Sequence, residues 1–454
     1  GFYTWGAWAV MGLSAMLKHW LPPVDGRTVP GLLQVLISGL PLPTPVQGKE
    51  RQALWELADE VRRTTSLRGR LKLGPTKFFE SDESSLDLAA FLRRYRAFLA
   101  EFGDRGSEDR DLYYPRRNEE RSLDFLALRL LNKLVGGDSP AVLAERCRHR
   151  REQLTQEICA SLRRTRFGWI REQAFRRLLR YIHQFLRLRD DQRHTYDVMG
   201  MSKKRGLQEI GRRLESRGLL ARCDDVWFLS WPELQDLFLR GETRLVDVKV
   251  QGRHHRFERT YARVDPQPMY YRDGAAVEPT TAVGPPLSSG VSVTGVGTSS
   301  GEVSGRARIV VHLADAASLE PGDILVTTNT DPGWIAAFFV IGGLVLEEGG
   351  LLAPGACMAR EHGIPAVTLP AAMERIPDGA MIRLDGASGS IERLNGPASS
   401  SPKPSSGNPQ IGRGPEAPRH HDPWRRRTAV ARAPDQPARA PHTNPAVFIV
   451  VIQE

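Results

Sequence analysis

The feature that most constrains this chain is a change in its hydrophobic periodicity at about residue 291. Across residues 48–234, apolar side chains recur three and four positions apart, which is the spacing of one face of an α-helix. From residue 291 onward, short β-branched runs alternate with glycines and prolines, which indicates strands. The sequence therefore predicts a mostly helical domain followed by a small α/β domain.

Individual elements follow from the same patterns. Helices are predicted at residues 50–64, 86–102, 122–135, 152–163, 171–188, 205–219 and 354–362. Strands are predicted at residues 307–311, 323–327, 343–346 and 380–384, with a short strand or turn at 224–229. Gly218 is expected to end one helix and Ser230 to cap the next. The polar segment at residues 103–120 is predicted to be a loop that the core does not need.

Composition divides the chain into four parts. The helical domain is expected at residues 1–264, a flexible linker rich in Pro, Gly, Ser and Thr at 265–290, and the α/β domain at 291–394. The Pro/Arg/Ser-rich tail at 395–454 has too little apolar surface to offset its ordering entropy, so we predict that it is disordered.

The N-terminal residues 2–17 are largely apolar and could be either a targeting segment or a buried helix. No basic residues precede them, no small-residue cleavage site follows, and the stretch is too short to span a bilayer. We therefore expect a buried helix of an N-terminally truncated domain, with no membrane partner.

Charge and cysteine usage narrow the class of protein. The 454 residues carry 63 Lys and Arg against 53 Asp and Glu, a formal net charge of +10. The arginines are spread along helices and the tail without a nucleic-acid-binding motif, so we predict no nucleic-acid partner. The 4 cysteines form neither a CxxC pair nor a metal-ligand spacing. We expect a reduced, cytoplasmic protein with no metal site.

Four segments of the α/β domain carry motifs in a fixed order. They are GTSSGEVSGRARIV at 297–310, LEPGDILVTTNTDPGW at 319–334, GLVLEEGGLLAPGACMAREHGIPAV at 343–367 and DGASGSIERL at 385–394. Their order and spacing resemble the mobile (swivelling) domain of PEP-utilising enzymes, most closely the rifampicin phosphotransferase and PEP-synthase-like branch.

The resemblance implies ATP-dependent phosphoryl transfer by a kinase-type phosphotransferase. In that family a histidine at the start of a helix carries the phosphoryl group between an ATP-grasp site and an acceptor site. The matching glycines here are Gly349 and Gly350 and the downstream arginine is Arg360, which are therefore the expected phosphate-binding residues. The family's Ser/Thr-His pair is replaced by Ala353 and Pro354.

Proline at this position is compatible with a helix and incompatible with the reaction. A prolyl nitrogen inside a peptide bond has no available lone pair, so Pro354 cannot form a phosphoamidate, whereas the first turn of a helix tolerates proline well. We expect neither neighbouring candidate to replace the histidine. His362 lies two turns further on and is predicted to be a surface residue beside a C-capping Gly363, and Cys357 is predicted to be packed.

The helical domain resembles the same family over two stretches. Residues 103–120 (GDRGSEDRDLYYPRRNEE) resemble a GHRGxxExDLxxPRWxEDP segment, and residues 211–234 resemble a pattern that contains DDVF. The resemblance implies a helical middle domain in which Arg105 and Asp111 are candidate substrate-binding residues. The alternative for this segment is a solvated loop with salt bridges.

The family places an ATP-grasp domain, which uses ATP and Mg, ahead of the helical domain, and no counterpart is recognised before residue 48. We therefore expect this chain to bind no cofactor itself. Together with Pro354, this predicts a family member that has lost phosphotransfer, a pseudoenzyme. Two alternatives remain: the C-terminal part of a split phosphotransferase that works with a separate ATP-grasp subunit, and a module that binds a small lipophilic molecule.

Overall fold

A computed structural model describes residues 2–21, 28–38, 46–80, 85–106, 111–134, 136–241, 245–261, 270–272, 275–277 and 286–394. Within them the predicted fold class is confirmed, because a helical region precedes a small domain built on a mixed sheet. The tail at residues 395–454 and most of the expected linker at 265–290 lie outside the described residues.

The helical region contains eleven described α-helices and one short 3₁₀ helix. They are α1 (Phe2–Trp20), α2 (Val29–Leu36), α3 (Val46–Arg63), α4 (Thr65–Arg70), α5 (Pro75–Phe78), α6 (Leu86–Phe102), α7 (Ser122–Asn132), α8 (Pro140–Arg163), α9 (Gly168–Ser216), the 3₁₀ helix (Cys223–Phe228), α10 (Trp231–Arg240) and α11 (Val246–Tyr261). Capping residues determine where several of these helices begin or end. Gly218 is left-handed after α9 with φ +69°, and Ser230 and Glu233 form a capping box at the start of α10.

Most predicted helices are confirmed, and the main error concerns α9. Separate helices were expected at residues 171–188 and 205–219, but α9 runs unbroken for 49 residues. Residues 189–204 contain no proline and a single glycine, so nothing in them stops a helix once packing favours one. The segment at 224–229, expected as a strand or turn, lies mostly in the 3₁₀ helix.

The apolar faces of the helices build two main clusters. In the first, α3, α6 and α7 pack together, and the predicted face of α3 (Leu54, Leu57, Ala58 and Val61) is fully buried in it. In the second, α1 and α2 pack against α8 and α9, which buries Leu13 and Leu17 of α1. The N-terminal apolar segment is therefore a packed helix, as predicted. Among the described helices, none combines the length and apolar character needed to cross a membrane.

The second domain is built on an eight-stranded mixed sheet. Its strands, after the hairpin β1 (Tyr270–Arg272) and β2 (Ala275–Val277), are β3 (Ser292–Thr294), β4 (Val296–Ser299), β5 (Glu302–Ile309), β6 (Ile324–Thr327), β7 (Gly343–Leu346), β8 (Ala366–Thr368), β9 (Met381–Asp385) and β10 (Ser390–Arg393). The spatial order is β3-β10-β9-β5-β6-β7-β8-β4, and β5 to β8 run parallel. Among the described residues, two α-helices, α12 (Pro354–His362) and α13 (Ala372–Arg375), and two 3₁₀ helices (Leu313–Ser318 and Pro332–Phe339) join these strands. The bounds of α12 are those predicted.

The sheet closes on itself through one glycine. Strands β3 and β4 form its two edges, yet only Gly295 separates them along the chain, so the two edges must meet. The amide of Gly295 donates to the carbonyl of Gly389 over 2.9 Å. A Cβ on Gly295 would lie 2.3 Å from the carbonyl oxygen of Thr368, so only glycine allows the strands to approach this closely.

The helical region and the sheet domain share a continuous interface. The cluster around α3, α6 and α7 extends into the sheet domain, where the rings of Trp55 and Phe339 lie 5.0 Å apart. The Lys133 ammonium, after α7, donates to the carbonyls of Ala317 and Leu319 over 2.9 and 2.7 Å. The Gln34 amide of α2 donates to the Gly297 carbonyl over 2.8 Å. The sheet domain is thus docked on the helices by both apolar and polar contacts.

A buried ionic network organises the helical region. The carboxylate of Glu50, on α3, lies 3.0 Å from Arg105 Nε and 2.9 Å from Arg117 Nη2. Arg117 also pairs with Asp124, which accepts a hydrogen bond of 2.8 Å from the Tyr95 hydroxyl. All five side chains are buried. The prediction that the core does not need residues 103–120 is therefore wrong, because arginines from this segment neutralise acidic groups that the core buries.

We predict that Glu50→Gln strongly destabilises the fold, because it leaves the two arginines without their shared counter-charge in a buried site. The expected loss is about 3 kcal/mol of unfolding free energy, measured by urea denaturation with circular dichroism. Glu56→Gln is the matched control on the exposed face of the same helix, and its effect should stay within about 0.5 kcal/mol. Equal effects of the two substitutions would contradict the role assigned to the network.

Candidate functional site

The candidate site is built around the first turn of α12. Ala353 is the N-cap residue, with extended backbone (φ −62°, ψ 148°), and Pro354 is the first helical residue. Proline is suited to this position because its missing N–H would have no intrahelical acceptor. Among the described residues, the amides of Gly355 and Ala356 have no hydrogen-bond acceptor, whereas the Cys357 amide already donates to the Ala353 carbonyl over 3.0 Å. Two N–H groups therefore remain available at the helix start.

A tight turn brings the chain to this helix. Gly349 is left-handed with φ +114°, and a Cβ there would lie 2.8 Å from Cβ of Ala353. The Ala353 amide donates to the Gly350 carbonyl over 2.9 Å and closes the turn. Gly349 thus has a clear conformational reason to be glycine, while a Cβ on Gly350 would meet nothing within 4 Å. A phosphate-binding role for either glycine stays a prediction.

A pocket of about 170 Å³ opens at the helix start. Its lining consists of Asn329, Thr330, Leu346, Glu348, Gly349, Ala353, Pro354 and Gly355. The hydroxyl of Thr330 is buried and has no hydrogen-bond partner among the residues that the structure describes. A Cβ on Gly355 would lie 2.4 Å from this hydroxyl oxygen, so Thr330 sits directly beside the first turn of α12. Sequence reasoning did not identify Thr330, because its isolation from other polar groups is visible only in three dimensions.

Arg360, the predicted phosphate-binding arginine, is held away from this pocket. It is buried, and its guanidinium donates to the Thr298 carbonyl over 2.8 Å and to Cys357 Sγ over 3.2 Å. Burial lowers the pKa of Arg360. Arg360 is not among the residues that line the pocket. Its role in binding phosphate therefore stays a prediction.

The thiol of Cys357 is approached by two guanidinium groups. Arg189 of α9 donates to Cys357 Sγ over 3.3 Å, in addition to Arg360, and donates to the Leu352 carbonyl over 2.7 Å. Arg189 therefore ties both the loop before α12 and its first turn to the helical region. No sequence pattern singled out Arg189, since its partners come from the other domain.

His362 is not the surface residue that was predicted. It is buried, with its ring centroid 4.5 Å from that of Phe339, and Gly363 after it adopts the expected left-handed C-cap conformation (φ +67°). Burial, and secondarily the positive charge of Arg51, lower the pKa of His362 well below its ordinary value. The helix face on which His362 lies turns inward at the domain interface, which the sequence alone did not indicate.

Arg105 and Asp111, the candidate substrate-binding residues, have structural partners. Arg105 is buried against Glu50, and the Asp111 carboxylate accepts a hydrogen bond of 2.9 Å from the Tyr113 amide. The interpretation of Arg105 as part of a solvated loop is wrong, and its role in substrate binding stays a prediction. Within the described ranges, no three His, Cys, Asp or Glu side chains are grouped to hold a metal ion.

We predict that His362 makes the fold sensitive to acid. The unfolded chain takes up a proton below the ordinary histidine pKa of about 6.5, whereas folded His362 does not, so stability falls as the pH drops through 6.5. The slope reaches about 1.4 kcal/mol per pH unit for this one proton. His362→Leu should flatten the pH dependence of the urea midpoint between pH 7.5 and 5.5.

His255→Gln is the control for this measurement, because His255 is exposed on α11. It should leave the slope unchanged. His183, whose pKa is also lowered by burial, contributes the same slope in every variant. An unaltered pH dependence in His362→Leu would contradict the assignment.

Comparison with known proteins adds two family matches. Residues 3–190 match the family model described as the rifampicin phosphotransferase fourth domain, and residues 319–389 match the PEP-utilising enzyme mobile domain. The second match contains the pocket and α12.

Curated relatives point to the same family. A rifampicin phosphotransferase from Streptomyces sviceus is 34% identical over 241 residues, which is 53% of this chain and 27% of that protein. A rifampicin phosphotransferase from Bacillus cereus is 36% identical over 192 residues, 42% of this chain and 21% of the relative. A prodigiosin synthesizing transferase from Serratia marcescens is 27% identical over 304 residues, 65% and 33% of the two chains.

The chain thus spans between a fifth and a third of the length of these relatives. The fourth-domain match lies in the helical region, and the mobile-domain match lies in the α/β domain that carries the four motifs. The chain is therefore similar to the rifampicin phosphotransferases, with a match to their fourth domain in the helical region and a match to the mobile domain of PEP-utilising enzymes in the α/β domain.

Proposed function

We propose that this chain is a phosphotransferase-family protein whose mobile domain no longer carries a phosphoryl group. The observation that carries the proposal is Pro354 at the first position of α12, next to the pocket at the helix start. In the family resemblance this is the position of the phosphorylated histidine. The amide nitrogen of proline cannot take up a phosphoryl group, so the ordinary carrier step has no acceptor atom there.

The surroundings of Pro354 support this reading, because the nearest alternative acceptors are engaged elsewhere. His362 is buried at the far end of the helix against aromatic rings, about 12 Å from its start. The Cys357 sulfur accepts hydrogen bonds from Arg189 and Arg360. Neither side chain lines the pocket.

We include ATP and Mg in this proposal only because the resemblance to the family implies them. An ATP-grasp partner would supply both, and the described residues of this chain do not form a carboxylate cluster for a metal. The helical region would then contribute the acceptor side, with a small lipophilic molecule as its ligand. If the chain works as part of a split phosphotransferase, the histidine would still have to come from elsewhere.

We propose a cytoplasmic location, in keeping with its four unpaired thiols.

Phosphoryl transfer in trans tests the proposal. The chain and its Ala353→Ser, Pro354→His double variant are each mixed with the ATP-grasp domain of an active relative and labelled ATP. We expect acid-labile, base-stable label on the double variant alone, because the helix start and pocket are intact and only the acceptor atom is missing.

An Ala353→Ser, Pro354→Leu variant is the matched control, since it restores the hydroxyl without an imidazole and should remain unlabelled. Label on the unmodified chain would overturn the proposal. In that case Cys357→Ser and His362→Leu would identify the residue that accepts the phosphoryl group.

A further inference from the structure

The turn between α8 and α9 exposes three large apolar side chains within four positions. Phe167, Trp169 and Ile170 are 60%, 71% and 48% exposed, and Gly168 between them is buried. Single exposed apolar residues are common on protein surfaces, whereas adjacent ones form a patch that marks a contact with another molecule or a membrane. Among the described residues, no element covers these three side chains.

The backbone of this turn is strained at an exposed aromatic residue. Phe167 is left-handed, with φ 59° and ψ 31°, a conformation that glycine adopts at little cost and bulky residues rarely adopt. The next residue must be glycine, because a Cβ on Gly168 would lie 2.5 Å from the carbonyl oxygens of Leu162 and Arg163. Since the Phe167 ring is largely exposed, the fold gains little from it, and a role in binding accounts for its presence.

Arginines surround the turn with little opposing charge. Residues 163–180 contain seven arginines and one acidic residue, Glu172, which is buried and pairs with Arg163 and Arg176. The other arginines form no ion pair with the residues that the structure describes. These are Arg164, Arg166, Arg171, Arg177 and Arg180. The surface around the turn is therefore strongly positive and complements a negatively charged partner.

The apolar and cationic side chains share one surface. The guanidinium of Arg166 lies 5.2 Å from the centre of the Phe167 ring. On α9, Arg177 follows Trp169 by two steps of four residues, so both lie on one exposed face, about 12 Å apart along the helix axis. Apolar side chains that enter a bilayer surface are buried by about 5–10 Å, which would bring the arginines behind them to the level of the lipid phosphates.

We infer that the α8–α9 turn binds the surface of an anionic phospholipid bilayer. Phe167, Trp169 and Ile170 enter the interface, and the arginines contact the lipid phosphates. Binding of this kind combines burial of apolar side chains with attraction to anionic lipids, and tryptophan is a preferred residue at the interface. A single-stranded nucleic acid would also attract the arginines and stack on the two aromatic rings, but the aliphatic Ile170 favours lipid.

The expectation that the chain has no membrane partner concerned a membrane span. Residues 2–17 are too short to cross a bilayer, and a surface contact needs no crossing. The fold is what places basic residues from two helices around one turn. The inference does not rest on the proposed function, because none of the residues of the turn lines the pocket at the start of α12.

Co-sedimentation of the full chain with lipid vesicles tests the inference. Vesicles of phosphatidylcholine and phosphatidylglycerol in equal parts are compared with vesicles of phosphatidylcholine alone, at the same ionic strength. We expect saturable binding to the anionic vesicles only. Trp169→Ser should weaken it about tenfold, because an apolar side chain no longer enters the interface. Arg164→Gln and Arg166→Gln should each weaken it about fivefold.

Matched control variants come from other exposed positions. Trp231→Ser removes a tryptophan that is 56% exposed on α10, and Arg212→Gln with Arg213→Gln removes two exposed arginines near the other end of α9. Both should bind vesicles as the unmodified chain does. Phe167→Gly should weaken binding without lowering the melting temperature, because glycine accepts the left-handed conformation. A purely structural role of the ring would instead lower the melting temperature and leave binding unchanged.

Several results would overturn the inference. They are no binding to anionic vesicles, equal binding to both kinds of vesicle, or binding that the substitutions in the turn leave unchanged. Tighter binding to a single-stranded RNA oligonucleotide, weakened by the same substitutions, would also overturn it, because it would identify a nucleic acid as the partner. The measurement contains no ATP and no ATP-grasp domain, so its failure leaves the proposed function standing.

Discussion

The ion pairs of Glu50 with Arg105 and Arg117 are the interaction on which the rest of the structure depends. A buried carboxylate is costly unless opposite charges meet it, so the fold of the helical region requires both arginines to reach α3 from the segment after α6. The next residue, Arg51, points the other way and pairs with Glu361 of α12 over 2.6 Å. One turn of α3 therefore holds the helical core on one side and the candidate site on the other.

This arrangement explains how α12 is held in place at both of its ends. Arg51 holds the far end of the helix and Arg189 holds the loop and first turn. The closed sheet fixes β7, which leads into the Gly349 turn. Pro354 lines the pocket, but the contacts that hold the loop and both ends of the helix are made by other residues.

The sequence predicted those parts of the fold that local patterns determine. The bounds of α6, α12 and β7 follow from periodicity and from flanking serine, proline or glycine residues. The wrong predictions concern features that depend on contacts with residues far away in the sequence. The length of α9, the burial of Arg105 and the inward orientation of His362 all depend on side chains from other elements. Thr330 was missed for the same reason, because the absence of a partner leaves no mark in the sequence.

Pro354 separates what a helix start needs from what phosphoryl transfer needs. The first residue of a helix needs a helical φ, and its N–H has no acceptor within the helix. Proline has a suitable fixed φ, and its missing N–H therefore costs no hydrogen bond. A residue that carries a phosphoryl group needs a nucleophilic side-chain atom, such as an imidazole nitrogen, which proline does not offer. The amides of Gly355 and Ala356 and the Thr330 hydroxyl are unaffected by that difference, since they belong to the backbone and to the loop after β6. Proline at residue 354 is therefore compatible with the observed helix start, and the proposed loss of phosphoryl transfer needs no other change in the surrounding structure.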